Sequence, residues 1–266
     1  MKTLYGMVDP HFHGLSLQQK GIDIERVLGE AFTCGMRACM DVGTSDGDII
    51  VRSSLYDRFP AVFLTVGLDP HEAAQDLPLD GRLKKIEDSL AHPKIRAIGE
   101  IGLDYHWNYG THDGQRVLFE SQLSLASRYS LPVVIHSRNA DADTYAILKS
   151  FALPRGGIIH CFSYTYKEAK RYLDLGFFLS FAGNITYPDS LALQDAARRI
   201  PLDRILLETD SPYLAPAPVR GKPNDPRNIL YTYVFTATLL GIPLSDLVES
   251  VGKNFDSVID TEARTG

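Results

Sequence analysis

The side chains best suited to chemistry fall in a few short clusters. His11 and His13 stand two residues apart in Asp9-Pro-His11-Phe-His13, so in an extended segment both imidazoles project to one side and can serve one cation. Glu100 closes the apolar run Arg96-Ala-Ile-Gly-Glu100, and a buried carboxylate is tolerated only beside a cation or several hydrogen-bond donors. His136-Ser-Arg138, His160-Cys161 and Glu208-Thr-Asp210 complete the set. Imidazole nitrogens and carboxylate oxygens are ligands for Zn²⁺, Mn²⁺ or Fe²⁺, and several carboxylates also suit Mg²⁺.

Six ligands, His11, His13, Glu100, His136, His160 and Asp210, exceed what one tetrahedral ion takes, so we expect two divalent metal ions. Two such ions ~4 Å apart repel by roughly 17 kcal/mol even at an effective dielectric of 20, which calls for an anion between them. Glu100 is the expected bridge, with His11, His13 and Asp210 on one ion and His136 and His160 on the other. A pair of ions activates water as a nucleophile and polarises a phosphoryl or carbonyl oxygen. Asp210 is the expected proton acceptor, although an aspartate before Ser211-Pro212 also reads as the cap of a short turn.

A His-x-His pair alone is weak, since surfaces and helix caps carry it too. Position gives it weight. Short apolar runs alternate with longer amphipathic ones along the chain, the pattern of repeated strand–helix units around a parallel sheet. Strands are expected at Leu4–Asp9, Arg37–Val42, Ala61–Gly67, Ile95–Glu100, Pro132–His136, Gly157–His160, Phe177–Phe181 and Arg204–Glu208. The helices between them are expected at Ile24–Cys34, Asp48–Arg58, Asp80–Ala91, Gln115–Tyr129, Asp141–Phe151, Tyr166–Leu175 and Leu191–Ile200. A Pro-rich loop and two closing helices follow, Ile229–Leu240 and Leu244–Val258, the second started near Ser245. Eight such units predict an α/β protein with a (β/α)8 TIM barrel, which carries its chemistry on loops at the carboxyl ends of the strands. His11, His13, His136 and His160 fall at those ends, whereas His92, His106 and His112 do not.

At 266 residues, 44% apolar and 23% charged, the chain reads as one globular domain over 1–266. The net charge of −6 gives no basic footprint for duplex nucleic acid, although bound cations would reverse the sign locally. No signal-peptide core precedes Asp9 and no run of ~18 apolar residues occurs, so a cytoplasmic protein without a membrane segment is expected. Cys34, Cys39 and Cys161 form no Cys-x-x-Cys pair and read as small buried hydrophobes in a reducing compartment.

Other polar groups keep two readings each. Arg138 could clamp a phosphate or pair with a surface carboxylate. Arg220 and Lys222, around Gly221, could hold phosphate or simply be solvated loop. Asp104 could orient a ligand histidine or sit in a turn. Tyr105, His106 and Trp107 could stack on an unpaired base or pack their own loop. Asn184 could donate to substrate or begin a turn.

The motifs Asp9-x-His11-x-His13, Gly99-Glu-Ile-Gly-Leu-Asp-Tyr105, His136-Ser-Arg138, His160-Cys-Phe-Ser163 and Glu208-Thr-Asp-Ser-Pro-Tyr-Leu214 resemble the TatD family of metal-dependent hydrolases. The Arg220-Gly-Lys-x-Asn224 loop and Asn254-Phe255 also fit, so the resemblance spans nearly the whole chain. It implies an amidohydrolase-like barrel with a divalent metal centre on the six residues named above. It also implies a deoxyribonuclease activity that includes removal of nucleotides from 3′ ends; the acidic surface and few basic residues point to single-stranded DNA ends as the partner, and no protein partner is inferable. One departure bears on substrate: where the family has Gly-x-His-Pro, this chain reads Gly67-Leu-Asp69-Pro70. Asp69 would repel a phosphate or be drawn toward the metals, with His71 close by. The alternatives are therefore amide or ester hydrolysis on a small substrate, and a metal-stabilised scaffold without turnover.

Overall fold

Strands joined by helices long enough to cross back over a sheet pair in parallel with their sequence neighbours. The computed structural model describes residues 6–107 and 109–260. It has strands β1 Met7–Phe12, β2 Met36–Asp41, β3 Val62–Val66, β4 Ile95–Asp104, β5 Val133–Arg138, β6 Gly157–Ile159, β7 Phe178–Phe181 and β8 Ile205–Leu207. They form one sheet in the order β1 to β8, every neighbouring pair parallel. A parallel bridge from Phe12 to Ser211 brings the two edges together, giving a nearly closed (β/α)8 barrel.

The helices are α1 Gly14–Gln19, α2 Ile24–Thr33, α3 Ile49–Leu55, α4 Leu79–Ser89, α5 His112–Arg128, α6 Asp141–Ser150, α7 Tyr166–Asp174, α8 Leu191–Arg199, α9 Ile229–Leu240 and α10 Leu244–Ile259. Their starts have local causes. Asp23 and Thr111 accept from backbone N–H groups in the first turns of α2 and α5, and Thr165 forms a capping box with Glu168 on α7. Gly241, at φ 67°, ends α9 in the left-handed conformation that glycine takes without a steric penalty. The last helix starts at Leu244, as expected, with Pro243 at its cap position and Ser245 inside its first turn. Among the described residues, no single helix is long and apolar enough to cross a membrane.

Because helices cover a parallel sheet, its strands are apolar on both faces. All six residues of β1 are buried, as are nine of the ten in β4. Two strands differ from their expected bounds in ways that matter. β1 starts at Met7 and runs on to Phe12, whereas Leu4 and Tyr5 of the expected strand lie outside the described residues. β4 does not stop at Glu100 but continues to Asp104, which puts Glu100 inside a strand. It can continue because glycines let β4 and β5 approach: a β-carbon on Gly99 would lie 2.6 Å from that of Val134, and one on Gly102 would collide with the His136 carbonyl oxygen. A register shift between Ile98 and Ile101 accompanies this approach. The short helix α1 was not expected from the sequence. Of the cysteines, Cys39 is buried and Cys161 partly so, but Cys34 is exposed at the end of α2, which corrects its reading as a buried residue.

Candidate metal centre

The seam between β1 and the turn after β8 assembles the first group of side chains. Asp210 donates its N–H to the His11 carbonyl at 2.9 Å, and His13 donates its own to the Ser211 carbonyl at 2.8 Å. The Thr209 N–H and hydroxyl both bond the Asp9 carboxylate, at 2.9 and 2.6 Å. Held this way, His11 Nε2 and His13 Nε2 lie 3.1 Å apart, and Asp210 Oδ1 lies 3.7 and 3.4 Å from them. Glu100 Oε2, reaching in from β4, is 3.5 and 3.6 Å from the same two nitrogens.

The other oxygen of Glu100 faces a second group. Oε1 is 2.7 Å from His136 Nδ1 on β5 and 2.9 Å from His160 Nε2 just beyond β6, and those two nitrogens are 3.2 Å apart. Ligand atoms held about 2.1 Å from one ion at angles between octahedral and tetrahedral lie about 3.0–3.4 Å from one another. Both groups have nearly that spacing, so the residues fit divalent metal on either side of Glu100.

The remaining ring nitrogens support the same arrangement. His13 Nδ1 faces the Val42 carbonyl at 3.1 Å, His160 Nδ1 faces Glu208 Oε1 at 3.3 Å, and His136 Nε2 faces Asp104 Oδ2 at 3.0 Å. Each partner is an acceptor, so the proton sits on the outward nitrogen and the inward one keeps its lone pair for a cation. His11 stacks on His160 with centroids 3.9 Å apart, and its Nδ1 is buried without a hydrogen-bond partner.

Charge makes the same demand. Burial alone would lower the pKa of His13, but Asp210 and Glu100 outweigh it and hold the imidazole up to about 9. Burial likewise opposes the charge on His136, yet Asp104 and Glu100 raise it to about 9. Glu100 is held well below the carboxylate range: burial works against its charge, but His160, His11 and His136 prevail. Asp210 is held low against burial by His13, His11 and His160. Without metal, then, the cluster takes up its positive charge as protons.

Several supporting residues gave no sufficient signal in the sequence. Glu208, fully buried, accepts from Cys161 N–H at 2.8 Å as well as facing His160. Burial pushes the Asp9 carboxyl up to about 8 despite its bonds from Thr209. Beneath His13, the buried guanidinium of Arg52 donates to the carbonyls of Asp41 and Thr65 at 3.0 and 2.6 Å and pairs with Asp48 at 2.9 Å. Asp41 in turn accepts from Gly14 N–H and the Tyr56 hydroxyl, both at 2.9 Å. The only signal for these residues was a charged or polar side chain within an apolar stretch.

Five of the six metal-ligand candidates, all but the buried His11, line a cavity of about 700 Å³. Asp69, His71, Arg138 and Asn184 line it, whereas Arg220 and Lys222 are exposed and are not among its lining residues. The Arg220 guanidinium lies over the Tyr187 ring, 4.1 Å from its centroid. Asp69 Oδ1 and Asn184 Oδ1 are buried without hydrogen-bond partners, and burial with the nearby Glu100 charge pushes Asp69 up to about 7.

Residues 8–260 match the family model described as TatD related DNase. The uncharacterized metal-dependent hydrolase YcfH of Escherichia coli K12 is 35% identical over 261 residues, covering 97% of this chain and 97% of that protein. A Rahnella protein named 3′-5′ ssDNA/RNA exonuclease TatD is 34% identical over 222 residues, covering 81% and 83%. Among solved structures, the TatD homologue YJJV of E. coli K12 superposes with a TM-score of 0.86 at 27% identity, covering 96% of this chain and 98% of that one.

Proposed function

Since the chain belongs to the TatD-related DNase family of metal-dependent hydrolases, we propose that it is a deoxyribonuclease that removes nucleotides from the 3′ ends of single-stranded DNA. The observation that carries this reading is the bridging geometry of Glu100, whose two oxygens face two separate nitrogen pairs at 2.7–3.6 Å. His11, His13 and Asp210 would hold one divalent ion and His136 and His160 another, with Glu100 shared. When bound, such a pair supplies an activated water and an electrophile for a phosphoryl oxygen. In the same reading the whole chain, 1–266, acts as one domain in the cytoplasm, where a reducing environment suits three free thiols.

The protein's own groups then have definite tasks. Asp210 is ionised at neutral pH and accepts the proton of the attacking water at a carboxylate oxygen. That water's oxygen bonds to phosphorus, the bond from phosphorus to the 3′ oxygen breaks, and the departing 3′ oxygen takes up a proton. Glu100 keeps the two halves of the site in register. Asp104 and Glu208 hold His136 and His160 in the orientation and tautomer that face the cavity.

The test is digestion of a 3′-labelled single strand in Mg²⁺, Mn²⁺ or Zn²⁺. Glu100→Ala is expected to abolish product release while the circular dichroism spectrum stays that of the parent, and unchanged digestion would refute the mechanism. A second reading, hydrolysis of an amide or ester, is favoured by Asp69, whose carboxylate lines the cavity where a phosphate would meet it. Asp69→His run beside the parent on both substrate types separates the two. Turnover on neither substrate type would leave the scaffold reading.

A further inference from the structure

The cavity wall is a poor match for a polyanion. Asp69, Glu100, Asp104 and Asp210 line it, and apart from its histidines, most of which would hold the metal, Arg138 is the one cationic side chain among the described lining residues. Bound metal answers the charge at the scissile phosphate only. Affinity for the rest of a nucleic acid strand must come from elsewhere, and uncharged aromatic faces provide it without regard to the sign of the wall.

Two large aromatic side chains stand half-exposed at this mouth, Trp107 at 52% and Tyr213 at 48%. Trp107 follows β4 and Tyr213 follows β8, and strands four apart in a ring of eight lie on opposite sides of the barrel. The ligand residues lie between them. Each aromatic is tied to that cluster through its backbone. Asp104 bonds His136 through Oδ2 and accepts from the N–H groups of His106 and Trp107 through Oδ1, at 2.9 and 3.1 Å. Tyr213 donates its N–H to the Asp210 carbonyl at 2.8 Å, and its ring meets that of His13 edge-on with centroids 5.9 Å apart.

Within its own loop Trp107 meets only the His106 ring, edge-on with centroids 4.8 Å apart, and 52% of the residue stays exposed. In the same turn Tyr105 takes the packing role, stacked on His112 at 3.6 Å and bonded to Asp143 and Arg116. Trp107 is left on the cavity wall. Its one cationic neighbour, Arg138, has its guanidinium carbon 5.7 Å from the ring centroid and forms no ion pair among the described residues.

We propose that Trp107 and Tyr213 are base-stacking walls that bracket the metal centre, with Arg138 beside Trp107 to meet the flanking phosphate, so that the substrate is selected as an unpaired nucleic acid strand. This deepens the phosphodiesterase reading and rests on it.

Trp107 is the chain's only tryptophan, which gives a readout independent of turnover. The experiment titrates the metal-loaded protein with a single-stranded oligonucleotide and with one of equal length whose terminal nucleotides are abasic. It follows tryptophan quenching and, by anisotropy of labelled strands, binding to the parent, Trp107→Ala, Trp107→Phe and Tyr213→Ala. Quenching is expected with the base-bearing strand and not with the abasic one. Trp107→Ala and Tyr213→Ala are each expected to weaken binding of the base-bearing strand roughly ten- to hundredfold, the range for loss of one base–aromatic stack, with Trp107→Phe recovering most of the first loss. The abasic strand is expected to lose far less. Equal binding of the two strands by the parent, or equal loss on both in the variants, overturns the proposal. A strand that binds with these signatures but is never cut refutes the nuclease reading while leaving the stacking intact.

Discussion

Asp104 joins the candidate metal centre to the surface that would meet a substrate. One oxygen orients His136 and the other holds the turn that presents Trp107. Asparagine at this place keeps an acceptor for the turn but loses the charge that favours the His136 proton on Nε2. Asp104→Asn is therefore expected to reduce Mn²⁺ affinity roughly 10- to 100-fold, the usual cost of losing a carboxylate behind a ligand histidine, while tryptophan fluorescence of the free protein stays unchanged. Calorimetric titration checks this, and an affinity within twofold of the parent would show that His136 is oriented by something else. The two readings of Asp104 from sequence, orienting acceptor or turn residue, turn out not to compete, because a carboxylate has two oxygens. Residues with the opposite history are Glu208, Asp41 and Arg52. Their chemistry depends on partners 48, 15 and 13 positions away, a dependence that no local pattern records. Four of the six ligand candidates stand out in the sequence as histidines at strand ends, and Glu100 and Asp210 stand out as carboxylates at the same rim.

At the scale of elements, the approach of β4 to β5 sets the position of Glu100 against His136. Gly102 has φ 145°, and a β-carbon there would run into the His136 carbonyl oxygen, so any side chain must push the two strands apart. Gly102→Ala is expected to cost more than about 1 kcal/mol of stability and to lower metal affinity with it. Gly29, inside α2, is the control, since a β-carbon there meets nothing within 4 Å. Gly29→Ala is expected to stabilise by about 0.5–1 kcal/mol and leave metal binding alone. Urea unfolding of both variants tests the pair, and similar effects from the two substitutions would show that close strand packing is not what Gly102 provides. The same feature explains which boundaries the sequence misread. The apolar run closes at Glu100, which predicts the end of β4 there, but the charge is satisfied by histidines from other strands and the strand continues. The remaining strands, apolar on both faces and separated by capped helices, were found to within a few residues. α1 escaped because six residues are too few to display a helical period.

Across the whole molecule, a net charge of −6 is carried by a barrel that concentrates carboxylates and histidines at one mouth. Gathering like charges there opposes folding unless cations join them, either protons or metal. His13 and His136, both raised to about 9, are protonated at pH 7 in the metal-free protein, and a metal ion must displace those protons to reach the lone pairs. Metal at 100 times its Kd stabilises the folded state by about 2.7 kcal/mol, which for a chain of this size raises Tm by about 5–10 °C. Since binding releases protons, raising the pH lowers the effective Kd, so the gain in Tm on adding Mg²⁺, Mn²⁺ or Zn²⁺ to chelator-treated protein is expected to be larger at pH 8 than at pH 6. Scanning calorimetry at the two pH values reads both quantities. No gain with any of the three ions would mean that the six residues do not form a metal centre. A gain that shrinks as pH rises would mean that the ion binds where no imidazole has to lose a proton.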